Sequence, residues 1–370
     1  MVRLNRWAAN LGNFDPRIVE GLPRQNIPQN ISIEARPMKA LIFKRYGKAP
    51  KFEYADVPRP SVGPDEILVE VHAVGLNPID NMIPKGTFKP ILKFELPATL
   101  GSDVAGIVVE TGSSVKRFKV GDAVFASLFD LGRGTLADFV AIPERFAALK
   151  PASLDFVQAA SIPMVGLTSL QAFRERAGLK PGQKVFVPAG SGGIGTFAIQ
   201  LAKHLGAKVG TTTSTGNVEL AKSLGADEVV DYKRQDFESV LRGYDMVLGT
   251  IRGDGIEKSF QILKPNSVIV SLIGPLDAAF ARARRLNAVL RFILSLMSWK
   301  ITRLARKQDI RYSFLFVRPD GQQLAEIGSI IDTGSIHPVI DKVFPFDQAK
   351  EALAYLDTGH AKGKVVVQLV

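Results

Sequence analysis

The fold is decided by Lys184–Gly195, KVFVPAGSGGIG, a short apolar run followed by a glycine-rich turn. Three of its four glycines, Gly190, Gly192 and Gly195, have the spacing GxGxxG, and the residues that follow are typical of an amphipathic helix. Between a strand and a helix, this spacing predicts a dinucleotide-binding turn rather than a purely structural one. Gly190 is expected to make the tight turn, Gly192 to let a pyrophosphate approach the backbone, and Gly195 to allow close helix packing.

Strands and helices alternate from the strand before this turn onwards. Helices are predicted at 195–205 and 217–224, and strands at 184–188, 207–213, 228–231, 244–248 and 267–272. Such alternation indicates βαβ units with right-handed crossovers. We therefore predict an α/β fold whose central element is a doubly wound parallel sheet of the Rossmann type.

A different pattern precedes this region. From Met38 to residue 160, short runs rich in Val, Ile and Ala are separated by turn formers, which is typical of a β-rich domain. Residues 67–72 alternate apolar and polar side chains, which predicts a half-buried strand. Residues 1–37 contain four prolines and are predicted to be an extended arm. The Rossmann domain is expected at 161–311, and a last strand at 364–368 could rejoin the β-rich domain, so that 312–370 completes it.

Composition excludes several kinds of site. The chain of 370 residues has no cysteine, which excludes disulfides, thiol nucleophiles and cysteine-ligated metals. Its four histidines lack metal-binding spacing, so no metal site is predicted. No apolar run is long enough to span a bilayer and no secretory signal is recognisable, which leaves cytoplasmic as the default location.

The charge is concentrated rather than spread. The net charge is +11, and residues 275–311 alone contain nine Lys or Arg and two Asp, a difference of +7. The rest of the chain is near neutral, so no general nucleic-acid-binding surface is expected.

The end of the second Rossmann strand bears on cofactor choice. An NAD site usually has an acid about 20 residues after the first glycine, to bind the ribose 2′-hydroxyl. Here Thr211–Gly216 reads TTTSTG and contains hydroxyls but no acid. Lys222, Lys233 and Arg234 are close enough in sequence to add positive charge. The residues favour NADP (as NADPH).

Several motifs together resemble one known family. They are VGLNPID at 74–80, LPATLGSDVAG at 96–106, VGDAV at 120–124, the AGSGGIG turn, LGAD at 224–227 and GHAKGK at 359–364. In this order they resemble the zinc-independent medium-chain dehydrogenase/reductase superfamily, and within it the zeta-crystallin-like quinone oxidoreductases. The resemblance covers Met38–Val370. It implies a GroES-like β-rich domain, completed by the C-terminal segment, with the Rossmann domain inserted, and a homodimer.

The resemblance also implies chemistry without metal. Zinc-dependent relatives have a cysteine ligand where this chain has Asn77, and a Gly-His-Glu motif where it has Gly101-Ser102-Asp103. Without zinc, the implied reaction is hydride transfer from NADPH to an electrophilic quinone or α,β-unsaturated carbonyl. Two alternatives remain open, an enoyl-thioester reductase and a non-catalytic NADPH-binding protein that contacts RNA or a lipid surface.

Site residues carry over from the family by matching motif. The resemblance implies that Asn77 and Asp80 line the cleft and that Tyr46 belongs to its rim. Asn77 could donate its amide N–H to a substrate carbonyl, or could be a turn residue before a proline. Asp80 is expected to be structural, and could donate a proton only if its pKa were raised.

The cofactor residues carry over in the same way. Thr168 is expected near the nicotinamide, and Lys364 is expected to reach the cofactor from the other domain. Ser214 and Tyr232 stand where relatives bind the 2′-phosphate, whereas Asn217 replaces a lysine that is common there. The cofactor-binding set is completed by the turn itself, Gly190, Ser191, Gly192, Gly193, Ile194 and Gly195.

The basic segment contains a long helix or a helix pair between Phe280 and Lys307. One apolar stripe is predicted to pack on the Rossmann domain: Leu286, Leu290, Ile293, Met297, Ile301 and Leu304. The segment is either a packed insertion with a solvated basic face, or an amphipathic surface at 278–307 that meets anionic lipid. In the second case Phe292, Leu294 and Trp299 would face the membrane.

Overall fold

The computed structural model describes residues 37–92, 94–251 and 253–370, so that the predicted arm at 1–37 lies outside them apart from Pro37. The strands are β1 Met38–Phe43, β2 Phe52–Val57, β3 Glu66–Leu76, β4 Ala98–Thr99, β5 Asp103–Thr111, β6 Ala123–Ser127, β7 Phe139–Pro143, β8 Ala147–Leu149, β9 Lys184–Val187, β10 Lys208–Thr213, β11 Glu228–Asp231, β12 Tyr244–Gly249, β13 Leu263–Ser271, β14 Arg311–Phe314, β15 Ile340–Pro345 and β16 Lys364–Gln368. The helices are α1 Pro78–Met82, α2 Phe156–Ala160, α3 Pro163–Leu170, α4 Gly193–His204, α5 Val218–Ser223, α6 Phe237–Val240, α7 Gly255–Ser259, α8 Ala278–Ala283, α9 Ala288–Lys307, α10 Gly321–Asp332 and α11 Ala349–Asp357.

A mostly antiparallel sheet forms the β-rich domain, with β3 at its centre. The strand order is β15-β16-β3-β5-β6-β8, β7 also pairs with β3, and a smaller sheet has the order β2-β1-β4. The expectation of a half-buried strand is wrong for the start of β3, where Ile67, Leu68 and Val69 are all buried. The strand lies between β5 and β7, and side chains on both of its faces are buried, Ile67 and Val69 in the core of the β-rich domain and Leu68 on the other face.

A six-stranded parallel sheet forms the second domain, in the order β11-β10-β9-β12-β13-β14. The order reverses at β9, which is the signature of a doubly wound sheet and confirms the predicted fold class. The predicted boundary at 311 is too early, because β14 pairs in parallel with β13 through Phe314. Hydrogen bonding across the sheet, which single-strand patterns do not reveal, sets this boundary.

Two contacts within the β-rich domain and one between the domains bring the end of β3 beside the glycine turn. The C-terminal strand β16 pairs antiparallel with β3, so the chain returns to the β-rich domain. Just before it, the Gly363 N–H donates to the Ser191 carbonyl in the glycine turn, at 2.9 Å. Helix α2 packs so closely on β3 that a Cβ on Gly75 would overlap the Ala160 carbonyl. The glycine turn and the end of β3 therefore face the same cleft.

The basic segment is a helix pair, α8 and α9, and its packed face differs from the predicted stripe. The buried residues of α9 are Leu294, Ser298, Ile301 and Ala305, whereas Ile293 and Met297 are exposed. The expectation that Leu294 faces outward is also wrong, since it is only 8% exposed. Both sets of residues recur at steps of three and four, so the sequence pattern alone does not select between them.

Among the described residues, no helix is long and apolar enough to cross a membrane.

Candidate active site

The glycine-rich turn lies at the switch point, between β9 and α4. Its left-handed residue is Ala189, with φ of 55°, so the expectation that Gly190 makes the tight turn is wrong. Gly190 is required for another reason, because a Cβ there would overlap Thr211 Oγ1. At Gly195 a Cβ would overlap Ala189 O and Gly190 Cα, which shows the close helix packing that was expected.

The turn leaves room on its outer side. A Cβ on Gly192 would meet only Ala189 O, at 3.3 Å, so little covers this residue. Gly192 is the N-cap of α4, whose first N–H groups point towards this open side together with the positive end of the helix dipole. Backbone donors beside an uncovered glycine are what a pyrophosphate requires, and the turn therefore fits a dinucleotide.

A hydroxyl cluster adjoins the turn at the end of β10. Ser191 Oγ accepts hydrogen bonds from Thr213 Oγ1 at 2.9 Å and from Asn217 Nδ2 at 3.2 Å. Asn217 Nδ2 also donates to Ser214 Oγ, at 3.2 Å. Because Ser191 and Ser214 act as acceptors inside the cluster, their own hydroxyl protons remain available to a ligand. Asn217 thus orients two serine donors, a role that its spacing did not reveal.

One acid near this cluster escaped the sequence analysis. Asp231, at the end of β11, accepts a hydrogen bond from Thr215 Oγ1 at 2.6 Å and lies 3.4 Å from Arg234 Nε. The Thr215 hydrogen bond is the largest influence that lowers the pKa of Asp231. Neighbouring parallel strands end at the same edge of a sheet. The last residue of the predicted strand 228–231 would therefore have indicated an acid near Thr213. Tyr232 follows it and is 59% exposed, whereas Lys222 forms an ion pair with Glu219.

The cleft contains a cavity of about 760 Å³ with a largely apolar wall. One end is formed by Gly192–Gly195, including Ile194, together with Thr168 from α3. The lining also includes a group of aromatic and aliphatic side chains, namely Phe88, Ile91, Phe129, Leu276, Phe314 and Phe316. Such a cavity accommodates a flat apolar ring beside the glycine turn. These wall residues come from four separate segments, and sequence reasoning identified none of them.

Lys364 brings a buried amine to the point where the cavity meets the glycine turn. Its Nζ donates to Asn77 Oδ1 at 2.6 Å and to the Leu76 carbonyl at 2.9 Å. Both Asn77 and Lys364 line the cavity and are almost fully buried. An ammonium group has three protons, of which these two acceptors take two, and Asp103 Oδ2 lies 3.7 Å from the same Nζ.

Asn77 is not positioned as the donor that sequence reasoning suggested. Its Nδ2 donates to Asp103 Oδ2 at 2.9 Å and approaches Gly75 O and Ser102 Oγ, each at 3.3 Å. Its two amide protons are consequently used within the protein. Asn77 instead accepts a hydrogen bond from Lys364 through its Oδ1.

The carboxylates beneath this pair are fully buried. Asp103 Oδ2 lies 3.7 Å from Lys364 Nζ. Burial raises the pKa of Asp103 and lowers that of Lys364, and their mutual attraction opposes both shifts. Burial also raises the pKa of Asp80 to about 7, although Ser102 and the Asn77 N–H donate to it. Asp80 caps α1 and is not among the residues that line the cavity.

Tyr46, like Asp80, is not among the described residues that line the cavity. Its ring packs edge-on against Phe43, with centroids 5.4 Å apart, and Lys89 Nζ lies 5.2 Å from its centre. Tyr46 is thus held by its packing on β1, and its expected place at the rim of the cleft stays a prediction. Among the described residues, no group of three His, Cys, Asp or Glu side chains could hold a metal ion.

Comparison with known proteins gives a consistent result over most of the chain. Residues 63–152 match the alcohol dehydrogenase GroES-like domain, and residues 224–367 match the family described as zinc-binding dehydrogenase. The chain is 36% identical over 346 residues to the chloroplast envelope quinone oxidoreductase homolog of Arabidopsis thaliana, covering 90% of this chain and 98% of that protein.

Two further proteins extend this result. The chain is 33% identical over 353 residues to the chloroplastic NADPH-dependent alkenal/one oxidoreductase of Arabidopsis thaliana, covering 92% of this chain and 82% of that protein. The structure of the quinone oxidoreductase from Coxiella burnetii superposes with a TM-score of 0.77 at 30% identity, covering 90% of this chain and all of that one.

Proposed function

Because the chain belongs to the quinone oxidoreductase family of the medium-chain dehydrogenase/reductase superfamily, we propose that it reduces quinones or α,β-unsaturated carbonyl compounds with a nicotinamide cofactor. The observation that carries this proposal is the junction of an apolar, aromatic cavity with a glycine-rich turn and a buried amine. The bound nicotinamide would supply a hydride.

The protein's own contribution is to orient and polarise the acceptor. The aromatic wall excludes water and holds a flat conjugated ring. Lys364 donates its remaining N–H to the acceptor's carbonyl oxygen, where negative charge develops, and Asn77 holds the amine in place. Asp103 and the carbonyl of Leu76 keep this cation in the cleft.

We propose that no metal takes part. The positions that match zinc ligands in relatives are Asn77 and Ser102, whose side chains lie 3.3 Å apart, and Lys364 already contributes a cation beside Asn77. A second cation at this point would be repelled by the ammonium group. The amine performs the polarisation that a Lewis acid performs elsewhere.

We further propose that NADPH is the preferred cofactor. Ser191 and Ser214 each have a hydroxyl proton free for a phosphate, and Tyr232 adds an exposed hydroxyl. Lys233 and Arg234 follow directly and offset the negative charge of Asp231.

The homodimer implied by the family and the cytoplasmic location stay predictions. Sedimentation tests the first and cell fractionation the second.

The test is an assay of NADPH oxidation against a panel of quinones, enals, enones and enoyl thioesters. We expect turnover of quinones or enones, unchanged after exhaustive treatment with EDTA or phenanthroline. Turnover of enoyl thioesters alone would indicate the alternative reductase, and binding of NADPH without any oxidation would indicate a binding protein. Stoichiometric zinc whose removal abolishes turnover would contradict the metal-free mechanism.

A further inference from the structure

Helix α9 has a second apolar face, opposite the one that packs. At about 100° per residue, the outward side is apolar over its first three turns. Six large side chains there are between 44% and 68% exposed: Val289, Phe292, Ile293, Leu296, Met297 and Trp299. We call these six residues the outer apolar face. A contiguous apolar patch of this kind on a water-exposed helix marks a contact surface.

Cations continue the same surface. The helix contains no acid between Ala288 and Lys307 and ends in four exposed bases: Lys300, Arg303, Arg306 and Lys307. Lys300 lies 3.7 Å from Glu257, and among the described residues the other three form no ion pair. The Arg303 guanidinium lies over the Trp299 ring, 5.0 Å from its centre, so charge and apolar surface are contiguous.

This combination decides between two occupants. A second copy of the chain would bring four more cations towards these four, and no acid on α9 could compensate them. An anionic phospholipid bilayer accepts apolar side chains at the level of its acyl boundary and attracts cations at its headgroups. We propose that α9 docks this protein on an anionic membrane surface, through the outer apolar face and the four bases.

The helix pair also connects this surface to the cleft. Phe280 of α8 packs against Phe314 and Phe316, with ring centroids 5.5 Å apart in each case, and both of these rings line the cavity. Leu294, on the packed side of α9, belongs to the same cluster. Arg284 is not part of the lipid surface, because it pairs with Asp130 and stacks on Phe316. The helix pair that carries the proposed membrane surface therefore packs against two residues of the cavity wall.

Membrane docking is tested without any assay of activity, so its failure is distinct from failure of the proposed function. The chain has two tryptophans, Trp7 and Trp299, and Trp7→Phe makes the fluorescence report on α9 alone. With vesicles of phosphatidylcholine and phosphatidylserine, we expect co-sedimentation, a blue shift of Trp299 emission and quenching by brominated acyl chains. Raising the salt concentration should weaken the binding.

Two variants and a matched control separate the contributions. Arg303→Glu with Lys307→Glu should lower the partition coefficient by roughly fivefold or more for each charge. Lys51→Glu with Lys180→Glu makes the same change in charge on exposed residues elsewhere and should leave binding nearly unchanged. Phe292→Ser with Leu296→Ser should abolish the blue shift.

Three results would overturn the proposal. They are equal binding to vesicles of phosphatidylcholine alone, equal losses in the charge variant and its control, and absence of binding at low salt. Loss of self-association in Phe292→Ser with Leu296→Ser, without any vesicle binding by the parent, would assign the surface to a second copy instead.

Discussion

Lys364 is the residue on which the chemistry of the cleft depends. Its stem runs beside Gly193, where an added Cβ would lie 3.2 Å from Lys364 Cδ, so turn and amine are fitted to each other. The sequence placed Lys364 at the cofactor and left Asn77 as either a donor to a substrate carbonyl or a turn residue before a proline. Which of Lys364 and Asn77 can donate to a substrate depends on which protons are already used, and that requires the hydrogen bonds of three separate segments.

Replacing the amine should therefore affect turnover more than binding. For Lys364→Met we expect kcat to fall about 10²–10³-fold, as for removal of an oxyanion donor, with a smaller change in KM. Lys362→Met removes an exposed lysine two residues away and is the matched control. Steady-state kinetics decide the point, with circular dichroism to confirm that each variant is folded. A kcat equal to that of wild type would exclude Lys364 as the donor.

Cofactor preference rests on the cluster around Ser191. A hydrogen bond to a charged group contributes roughly 1.5–3 kcal/mol, so donors on two serines favour NADPH by at least about tenfold in kcat/KM. Ser214→Asp should reverse the preference, because a carboxylate repels the 2′-phosphate and accepts from the free 2′-hydroxyl. Comparing kcat/KM for both cofactors in wild type and variant tests this. Equal use of NADH by the wild type would mean that the cluster does not bind the phosphate.

Asp80 should reveal its burial through the pH dependence of stability. Its pKa is raised from 3.8 to about 7 in the folded protein, so between these pH values the folded state holds a proton that the unfolded state has lost. The free energy of unfolding of wild type should therefore fall as the pH rises through this range, and level off above it. Relative to Asp80→Asn, the change is up to about 4 kcal/mol, at about 1.4 kcal/mol per pKa unit. The free energy of unfolding is measured by urea denaturation at several pH values. The same dependence on pH in wild type and in Asp80→Asn would contradict this prediction.

The spacing of the turn made its glycines predictable, but not their separate roles. The strained backbone lies at Ala189, and Gly190 is required by a threonine on the neighbouring strand. Asp231 was missed for the same reason, because it approaches Thr215 only where β10 and β11 end together. Cross-strand neighbours are set by sheet order, which the local pattern does not contain.

At the level of elements, α9 shows the limit of periodicity. Two apolar stripes run along one helix, and the predicted stripe mixes residues of both: Ile301 is buried and Met297 is exposed. Burial against β13 and β14, through the cluster that contains Ile269 and Ile310, selects the actual face. The polarity of α9 therefore varies in two directions. One side is buried, and the exposed side is apolar near the start of the helix and basic near its end.

The two faces should respond differently to truncation. Ile301→Ala removes a buried side chain and should lower the free energy of unfolding by about 2–5 kcal/mol. Met297→Ala removes a side chain that is 60% exposed and should change it by less than about 0.5 kcal/mol. Urea denaturation measures both. A larger loss for Met297→Ala would mean that the outer apolar face is packed in the isolated protein.

At the scale of the whole molecule, the site exists only because the two domains meet. The glycine turn comes from the parallel sheet, whereas Asn77 follows the end of β3 and Lys364 begins β16, both in the β-rich domain. Alternation of strands and helices predicted the doubly wound sheet, and the last strand pointed to the return of the chain. The aromatic wall is assembled from segments far apart in sequence, so no local pattern could have indicated it.

The most direct test of the proposed reaction follows the transferred hydride itself. NADPH that carries deuterium on one face of C4 is incubated with an enone, and the product is analysed by mass spectrometry and NMR. Hydride transfer in the cleft predicts one deuterium at the β-carbon from one labelled face, none from the other, and a solvent-derived proton at the α-carbon. NADPH oxidation without deuterium in the product, or label from both faces equally, would contradict it.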